Sequence, residues 1–189
     1  MIDPAYAKAI IKEKLSPPRY IHSLNVAKEA QELAIQHGGD GQRAYLAGIL
    51  HDYAKGLSAD ILIAIAEEYH AIENEIEYLI PHILHAKVGA ILLKKDKIIT
   101  DSRILNAIAS HTLGNLQMDI LDKIIFLADM IEPGRDYPQH QRLHCLAYKN
   151  LDEAMLFGLE LTIRHCLENR RLLHPKTVKV RNIYLKICK

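Results

Sequence analysis

The stretch that decides the fold reads Leu46-Ala-Gly-Ile-Leu-His-Asp-Tyr-Ala-Lys55. It has the composition of a buried helix and ends in an adjacent histidine and aspartate, His51 and Asp52. Gly48 lies one turn before Asp52, and so small a residue allows a neighbouring helix or a ligand to come close. A carboxylate in such a packed setting costs several kcal/mol unless it is paired or bound to a cation. An isolated His-Asp pair is more often an ordinary polar helix end, so the choice depends on the rest of the chain.

Helical periodicity continues on both sides of this stretch, with start and stop residues between the segments. We predict helices over approximately 3–15, 16–38, 40–52, 58–69, 81–95, 100–111, 119–132 and 152–171. The segment 177–187 fits both a strand and a helix. Because one isolated strand would have no sheet to join, we predict a helix there. The sequence therefore predicts an all-α fold, a single helical bundle spanning residues 1–189 as one domain.

Composition excludes several classes of protein. Apolar residues make up 49% of the 189 and charged residues 25%, as in globular proteins. Twenty-four basic residues against twenty-three acidic ones leave no polycation, so we expect no nucleic-acid partner. The three cysteines form no CxxC pair and predict reduced thiols. No signal peptide or membrane-length apolar run is found, so we expect a soluble cytoplasmic protein.

Histidine is in excess, and two further residues are out of keeping with their surroundings. The chain has eleven histidines, no Trp and two Phe. His22 shares a helix face with Val26 and Ala30, and Asp129 lies in an apolar helix with no basic residue close enough to neutralise it. With His51 and Asp52 they supply two imidazoles and two carboxylates from three helices. This set suits iron, manganese or zinc and leaves coordination positions open for water and a phosphate oxygen, as in catalytic sites.

Three more residues are candidates for the same site. His85 and His111 lie in apolar contexts and could be core residues, ligands of a second metal or donors to phosphate. We favour the phosphate role, because one metal already has enough ligands. Arg135 follows Pro133-Gly134 just beyond the helix that carries Asp129, where its planar side chain can reach a phosphate on the metal.

The order His22, His51-Asp52, Asp129 resembles the HD-domain phosphohydrolase superfamily. Longer blocks are similar to one branch of it, the YqeK-type family of bacterial symmetrical diadenosine tetraphosphatases. They are Arg19-Tyr-Ile-His22-Ser-Leu, the Leu46–Lys55 stretch, His85-Ala-Lys-Val-Gly-Ala90, Asn106-Ala-Ile-Ala-Ser-His-Thr112, Lys123-Ile-Ile-Phe-Leu-Ala-Asp-Met-Ile-Glu-Pro-Gly-Arg135 and His174-Pro-Lys-Thr177.

The resemblance implies a role for each matching residue. The implied metal ligands are His22, His51, Asp52 and Asp129, with iron as the metal. The implied substrate-binding residues are Asn25, Lys55, His85, His111, Thr112, Asp129, Arg135, His174 and Thr177. Asp129, His111 and His85 are the expected catalytic residues.

The implied reaction is cleavage of diadenosine tetraphosphate at its centre to give two ADP, with a metal-activated water attacking phosphorus. Two alternatives stay open. One is an HD phosphohydrolase for another nucleotide, such as a nucleoside monophosphate or a cyclic dinucleotide. The other is a nucleotide sensor without catalysis, which would have no need of all four ligands. We also expect that two copies could pair as a homodimer.

Overall fold

The structure is a computed structural model that describes residues 2–189. These residues form eleven α-helices and one 3₁₀ helix, and no β-strand occurs among them, so the all-α prediction is confirmed. The α-helices are α1 (Pro4–Lys14), α2 (Pro17–Gln36), α3 (Gly41–Leu50), α4 (Ala59–Glu68), α5 (Ile76–Leu79), α6 (His85–Lys95), α7 (Ser102–Ser110), α8 (Ile120–Ile131), α9 (His140–Lys149), α10 (Leu151–Glu168) and α11 (Pro175–Ile187). The 3₁₀ helix, Pro81–Leu84, lies directly before α6.

Side-chain caps define where many of these helices begin. A side chain accepts a hydrogen bond from a backbone N–H of the first turn, as helix N-termini require. The capping residues are Asp3, Asp40, Ser58, Asp101, Asp119, Asn150 and His174. Asp119 and Asp122 cap α8 reciprocally, each accepting from the other's backbone N–H at 3.0 Å.

The core lies where α2, α3, α7 and α8 pack together. Helix α8 is the most enclosed, and Ile125, Leu127, Ala128 and Ile131 are fully buried. Helix α3 lies tightly against α2, because a Cβ at Gly48 would be 2.8 Å from the Cα of Ala27. The close approach expected at Gly48 is therefore confirmed. A smaller cluster around Leu62, Leu84 and Val88 joins α4 to α6.

The structure differs from the predicted elements at three places. The helix predicted over 81–95 begins as the 3₁₀ helix, so His85 is the first residue of α6. Helices α5 and α9 were not predicted. Only Leu143 and Ala147 of α9 are buried, so the apolar periodicity there is too sparse to mark a helix. The ambiguous tail is helix α11, as predicted.

None of the helices in residues 2–189 combines the length and the apolar character needed to cross a bilayer.

Candidate active site

The predicted metal ligands converge from separate helices. His22 lies in α2, His51 and Asp52 directly follow α3, and Asp129 lies in the last turn of α8. The ligand atoms of His22, His51 and Asp129 all lie within 4.8 Å of one another, and those of His51, Asp52 and His111 form a second such group. The four residues predicted from the sequence thus lie around one centre, and His111 joins them.

The polar atoms of this cluster lie 3.0–4.0 Å apart. His22 Nε2 lies 3.0 Å from Asp129 Oδ1, and His51 Nε2 lies 3.9 Å from the same oxygen. Asp52 Oδ1 lies 3.1 Å from His85 Nε2 and 4.0 Å from His111 Nε2. The Nε2 atoms of His85 and His111 are 3.0 Å apart. All four imidazoles therefore direct Nε2 towards the two carboxylates.

In three of the four histidines, the other ring nitrogen, Nδ1, is hydrogen-bonded to a backbone carbonyl. Nδ1 of His51, His85 and His111 lies 2.6–2.7 Å from the carbonyl oxygen three residues earlier, that of Gly48, His82 and Ile108. A carbonyl can only accept, so Nδ1 carries the proton in each of these rings, and His51 and His111, whose pKa values are lowered by burial, present the lone pair of Nε2 to the centre. This is the tautomer in which a histidine binds a metal through Nε2.

Helix ends create an environment suited to a cation. His51 and His111 lie at the carboxyl ends of α3 and α7, where unpaired carbonyls carry partial negative charge. His51 Nε2 is a buried polar atom without a hydrogen-bond partner among the described residues. Such an atom is costly unless something binds it. A divalent ion held by His22, His51, Asp52 and Asp129 would supply the missing partner, so these residues fit a metal.

The pKa values agree with a cation-binding centre. Burial alone would raise the pKa of Asp52 and Asp129, but the neighbouring histidines, with Lys55 and Arg135 respectively, hold both well below the usual range. Both carboxylates are therefore ionised. Burial, together with the charges of His85 and His51, lowers the pKa of His111 to about 3. His111 is therefore neutral at neutral pH.

Three basic side chains surround the centre. Arg19 Nη1 lies 3.1 Å from Asp52 Oδ2, Lys55 Nζ lies 4.0 Å from Asp52 Oδ1, and Arg135 Nη2 lies 2.5 Å from Asp129 Oδ1. The expectation that Asp129 has no basic residue to neutralise it is therefore wrong. Arg135 is six residues beyond Asp129 and returns to it because the chain turns after α8. These cations can receive the oxygens of a polyphosphate.

The remaining predicted substrate residues divide into two groups. Thr112, His174 and Thr177 line a cavity of about 380 Å³, the Thr112 cavity, together with His82 and apolar residues of the 171–173 loop. The buried Oγ1 of Thr112 has no hydrogen-bond partner among the described residues. The side chain of His174 is engaged elsewhere, because Nδ1 accepts from Lys176 N and Nε2 lies 3.2 Å from Glu77.

Asn25 also faces a protein group instead of an open space. Its Nδ2 donates to Glu132 Oε2 at 2.9 Å, and Oε1 of the same carboxylate lies 3.1 Å from His22 Nδ1. Glu132 therefore orients the ring of His22 through Nδ1, in the same way that backbone carbonyls orient His51, His85 and His111. Sequence reasoning assigned Glu132 no role. The available signal was an acidic residue directly after the apolar run of α8.

Arg19 was missed for a different reason. It precedes His22 by three residues and therefore shares its helix face, but its partner Asp52 lies 33 residues away. Sequence spacing shows the shared face and does not show the partner.

Comparisons with known proteins agree with this geometry. The family model described as "HD domain" matches residues 19–134. A protein of Halalkalibacterium halodurans named "Bis(5'-nucleosyl)-tetraphosphatase, symmetrical" is 35% identical over 93% of this chain and 94% of its own length. A protein of the same name from Staphylococcus aureus is 35% identical over 94% and 92%.

A solved structure is similar over nearly the whole chain. It is described as a predicted HD superfamily hydrolase involved in NAD metabolism from Clostridium acetobutylicum. It is 33% identical, covers 99% of both chains and has a TM-score of 0.94. The HD-domain match defines the class of protein, a hydrolase built on a divalent-metal site.

Within that class the chain belongs to the family of the symmetrical bis(5'-nucleosyl)-tetraphosphatases. The predicted family and the prediction of an enzyme are confirmed.

Proposed function

We propose that the protein hydrolyses diadenosine tetraphosphate symmetrically to two ADP, with iron as the divalent metal, as a single domain over residues 1–189. The observation that carries this proposal is the convergence of four Nε2 atoms on Asp52 and Asp129, beside three cations. The names of the relatives supply the substrate. Manganese and zinc suit the same donor set and are the competing metals.

A metal ion held by His22, His51, Asp52 and Asp129 would lower the pKa of a bound water and polarise a phosphate oxygen. In the reaction, the oxygen of a water molecule attacks and forms a bond to one β-phosphorus. The bond from that phosphorus to the central bridging oxygen breaks, and ADP leaves with this oxygen. Asp129 is ionised and can accept the proton of the attacking water.

The basic and histidine side chains around the centre can stabilise the negative charge that develops on the phosphate oxygens. Lys55 and Arg135 lie beside Asp52 and Asp129 respectively, so they can bind the phosphate oxygens that gain negative charge. His85 lies 3.1 Å from Asp52 and within reach of Lys55 Nζ at 3.2 Å, so a proton on its Nε2 can be directed to a phosphate oxygen. His111 is neutral with its proton on Nδ1, so its Nε2, 3.0 Å from that of His85, accepts a hydrogen bond from His85 and orients it.

The decisive experiment pairs product analysis with metal analysis. Protein purified anaerobically and loaded with iron should convert diadenosine tetraphosphate to ADP alone, as separated by chromatography. His111→Ala should slow turnover by ~10²-fold or more and still hold one metal per chain. His144→Ala, which removes a half-buried histidine of α9 that pairs with Glu29 and is not part of the cluster, is the matched control and should keep the wild-type turnover.

Three outcomes would contradict parts of this proposal. Faster cleavage of a nucleoside monophosphate or a cyclic dinucleotide would make the protein a different HD phosphohydrolase. An intact substrate after long incubation would indicate a sensor. Two metals per chain falling to one in His111→Ala would make His111 a ligand of a second ion, as its grouping with His51 and Asp52 allows. The homodimer stays a prediction.

A further inference from the structure

A second cavity lies beside the residue that directly follows the predicted metal ligand Asp129. It measures about 530 Å³, and we call it the Met130 cavity after the residue that directly follows Asp129. Tyr137, Leu161, Arg164 and His165 are among its other walls. Tyr137 is fixed in place because its hydroxyl donates to the carbonyl of Met130 at 3.0 Å. The cavity therefore begins one residue from a predicted metal ligand.

Helix α10 separates this cavity from the Thr112 cavity. Thr162 and His165 line both, whereas Leu161 and Arg164 line only the Met130 cavity and Cys166 only the Thr112 cavity. Residues three and four apart share one face of a helix, so a single ridge of α10 carries Thr162 and His165 between the two spaces. The two cavities are neighbours on either side of that ridge.

The chemistry of the Met130 cavity suits a nucleoside. Its volume lies within the ~300–1,000 Å³ usual for small-molecule sites. Met130, Leu161 and the ring of Tyr137 offer apolar surface to a base, and Arg164 offers a planar cation at the rim. The Thr112 cavity has the same character, with leucines, isoleucines and three threonines. Each of these two largely apolar cavities is thus lined by a residue that directly follows one of the cluster, Thr112 after His111 and Met130 after Asp129.

We propose that the Met130 cavity is the site of the second nucleoside, so that the substrate is held at both ends with its polyphosphate chain across the metal-ligand cluster. This inference rests on the proposed function and gives symmetric cleavage a physical cause. When one nucleoside occupies each cavity, the middle of a four-phosphate chain lies at the metal-ligand cluster. A ligand with a single nucleoside fills only one cavity.

The test fills the Met130 cavity and leaves the catalytic residues unchanged. Leu161→Trp places an indole in the cavity, and Leu167→Trp, at an exposed position of α10 outside both cavities, is the matched control. Leu161→Trp should raise KM for diadenosine tetraphosphate about tenfold or more, the size expected when an apolar pocket is lost. Inhibition by ADP, which needs only the Thr112 cavity, should stay at the wild-type level, and Leu167→Trp should match wild type throughout.

An unchanged KM for diadenosine tetraphosphate in Leu161→Trp would overturn the proposal. Adenosine 5'-tetraphosphate has four phosphates and only one nucleoside. If the wild-type protein had the same KM for it as for diadenosine tetraphosphate, the proposal would also be overturned. If circular dichroism shows that Leu161→Trp does not fold, Arg164→Ala replaces it, because Arg164 is exposed. Its KM should rise several-fold, and an unchanged value overturns the proposal. Failure of the proposed function itself is recognised separately, since wild-type protein would then form no ADP from diadenosine tetraphosphate.

Discussion

The carboxylate of Glu132 meets three donors at once. Its oxygens lie 3.1 Å from His22 Nδ1, 2.9 Å from Asn25 Nδ2 and 2.6 Å from Gly134 N. Burial would raise the pKa of Glu132, but these donors hold it below the usual value. The group is therefore ionised, and it fixes the ring of His22 with Nε2 towards Asp129. We assign Glu132 as a positioning residue for the metal.

Glu132→Gln should weaken metal binding. Glutamine keeps the size of the side chain but loses the charge that orients His22, and loss of such a partner typically costs 10–100-fold in metal affinity. Competition against a chelator of known affinity measures the change. Glu68→Gln, an exposed position at the end of α4, is the control and should bind as wild type. Equal affinities for the two variants would show that Glu132 does not position His22.

Single residues differ in how far the sequence reveals them. His22, His51, Asp52 and Asp129 were predicted because each is polar in an apolar helix. Glu132 was not, because its partner His22 lies 110 residues away and no local pattern connects them.

Helices α2 and α3 approach each other most closely at Gly48. An added Cβ would lie 2.8 Å from Ala27 Cα and 3.0 Å from Val26 O, and both are backbone atoms that cannot turn aside. The carbonyl of Gly48 is also the acceptor for His51 Nδ1 at 2.7 Å. The contact that joins two helices therefore also sets the position of a predicted metal ligand, His51.

Gly48→Ala should lower both stability and metal affinity. Overpacking typically costs 1–3 kcal/mol, which exceeds the gain of up to about 1 kcal/mol from a better helix former. Urea unfolding with and without metal measures both effects. Gly89→Ala in α6 is the matched control, since its new Cβ would meet nothing nearer than 3.7 Å. A Gly48 variant as stable as the Gly89 variant would contradict the close contact.

The elements were predicted best where polarity and periodicity coincide. Helix α8 has strong caps and a continuous apolar run, and its predicted range agrees with Ile120–Ile131. Helix α9 was missed because polar residues fill most of it. The start of α6 was misplaced because a 3₁₀ turn and an α-helix share the same apolar residues.

Stability of the whole molecule depends on a carboxyl group outside the active site. Asp122 is 5% exposed, and its Oδ1 is buried without a hydrogen-bond partner in the described part of the chain. Burial, with the nearby charge of Asp119, raises its pKa to about 6 although the N–H of Asp119 opposes the shift. The folded protein therefore binds more protons than the unfolded chain between about pH 4 and 6.

Stability should fall as the pH rises through this window, by up to about 3 kcal/mol for a shift near two pKa units. Asp122→Asn removes the titration and keeps an acceptor for the N–H of Asp119. The variant should gain stability over wild type as the pH rises from 4 to 7, as followed by thermal unfolding. Asp60→Asn, in the first turn of α4, is the control. A pH-independent difference between Asp122→Asn and wild type would contradict the raised pKa.

For the molecule as a whole, the sequence predicted the all-α class and the helices that bring the predicted metal ligands together. It could not predict the two cavities on either side of α10, because their walls come from residues 80–83, 112–113, 130–139 and 171–177, which only the folded chain brings together.

The dependence of His22 on Glu132 has a consequence for the order of events during synthesis. His22, His51 and Asp52 leave the ribosome first, and Glu132 follows His22 by 110 residues. At ~5–20 residues per second, about 6–22 s pass between the synthesis of His22 and that of Glu132, whose carboxylate orients it. The nascent chain thus carries an incomplete chelating site before α8 is made. We therefore expect the predicted metal site to reach full affinity only after α8 has been made and has docked.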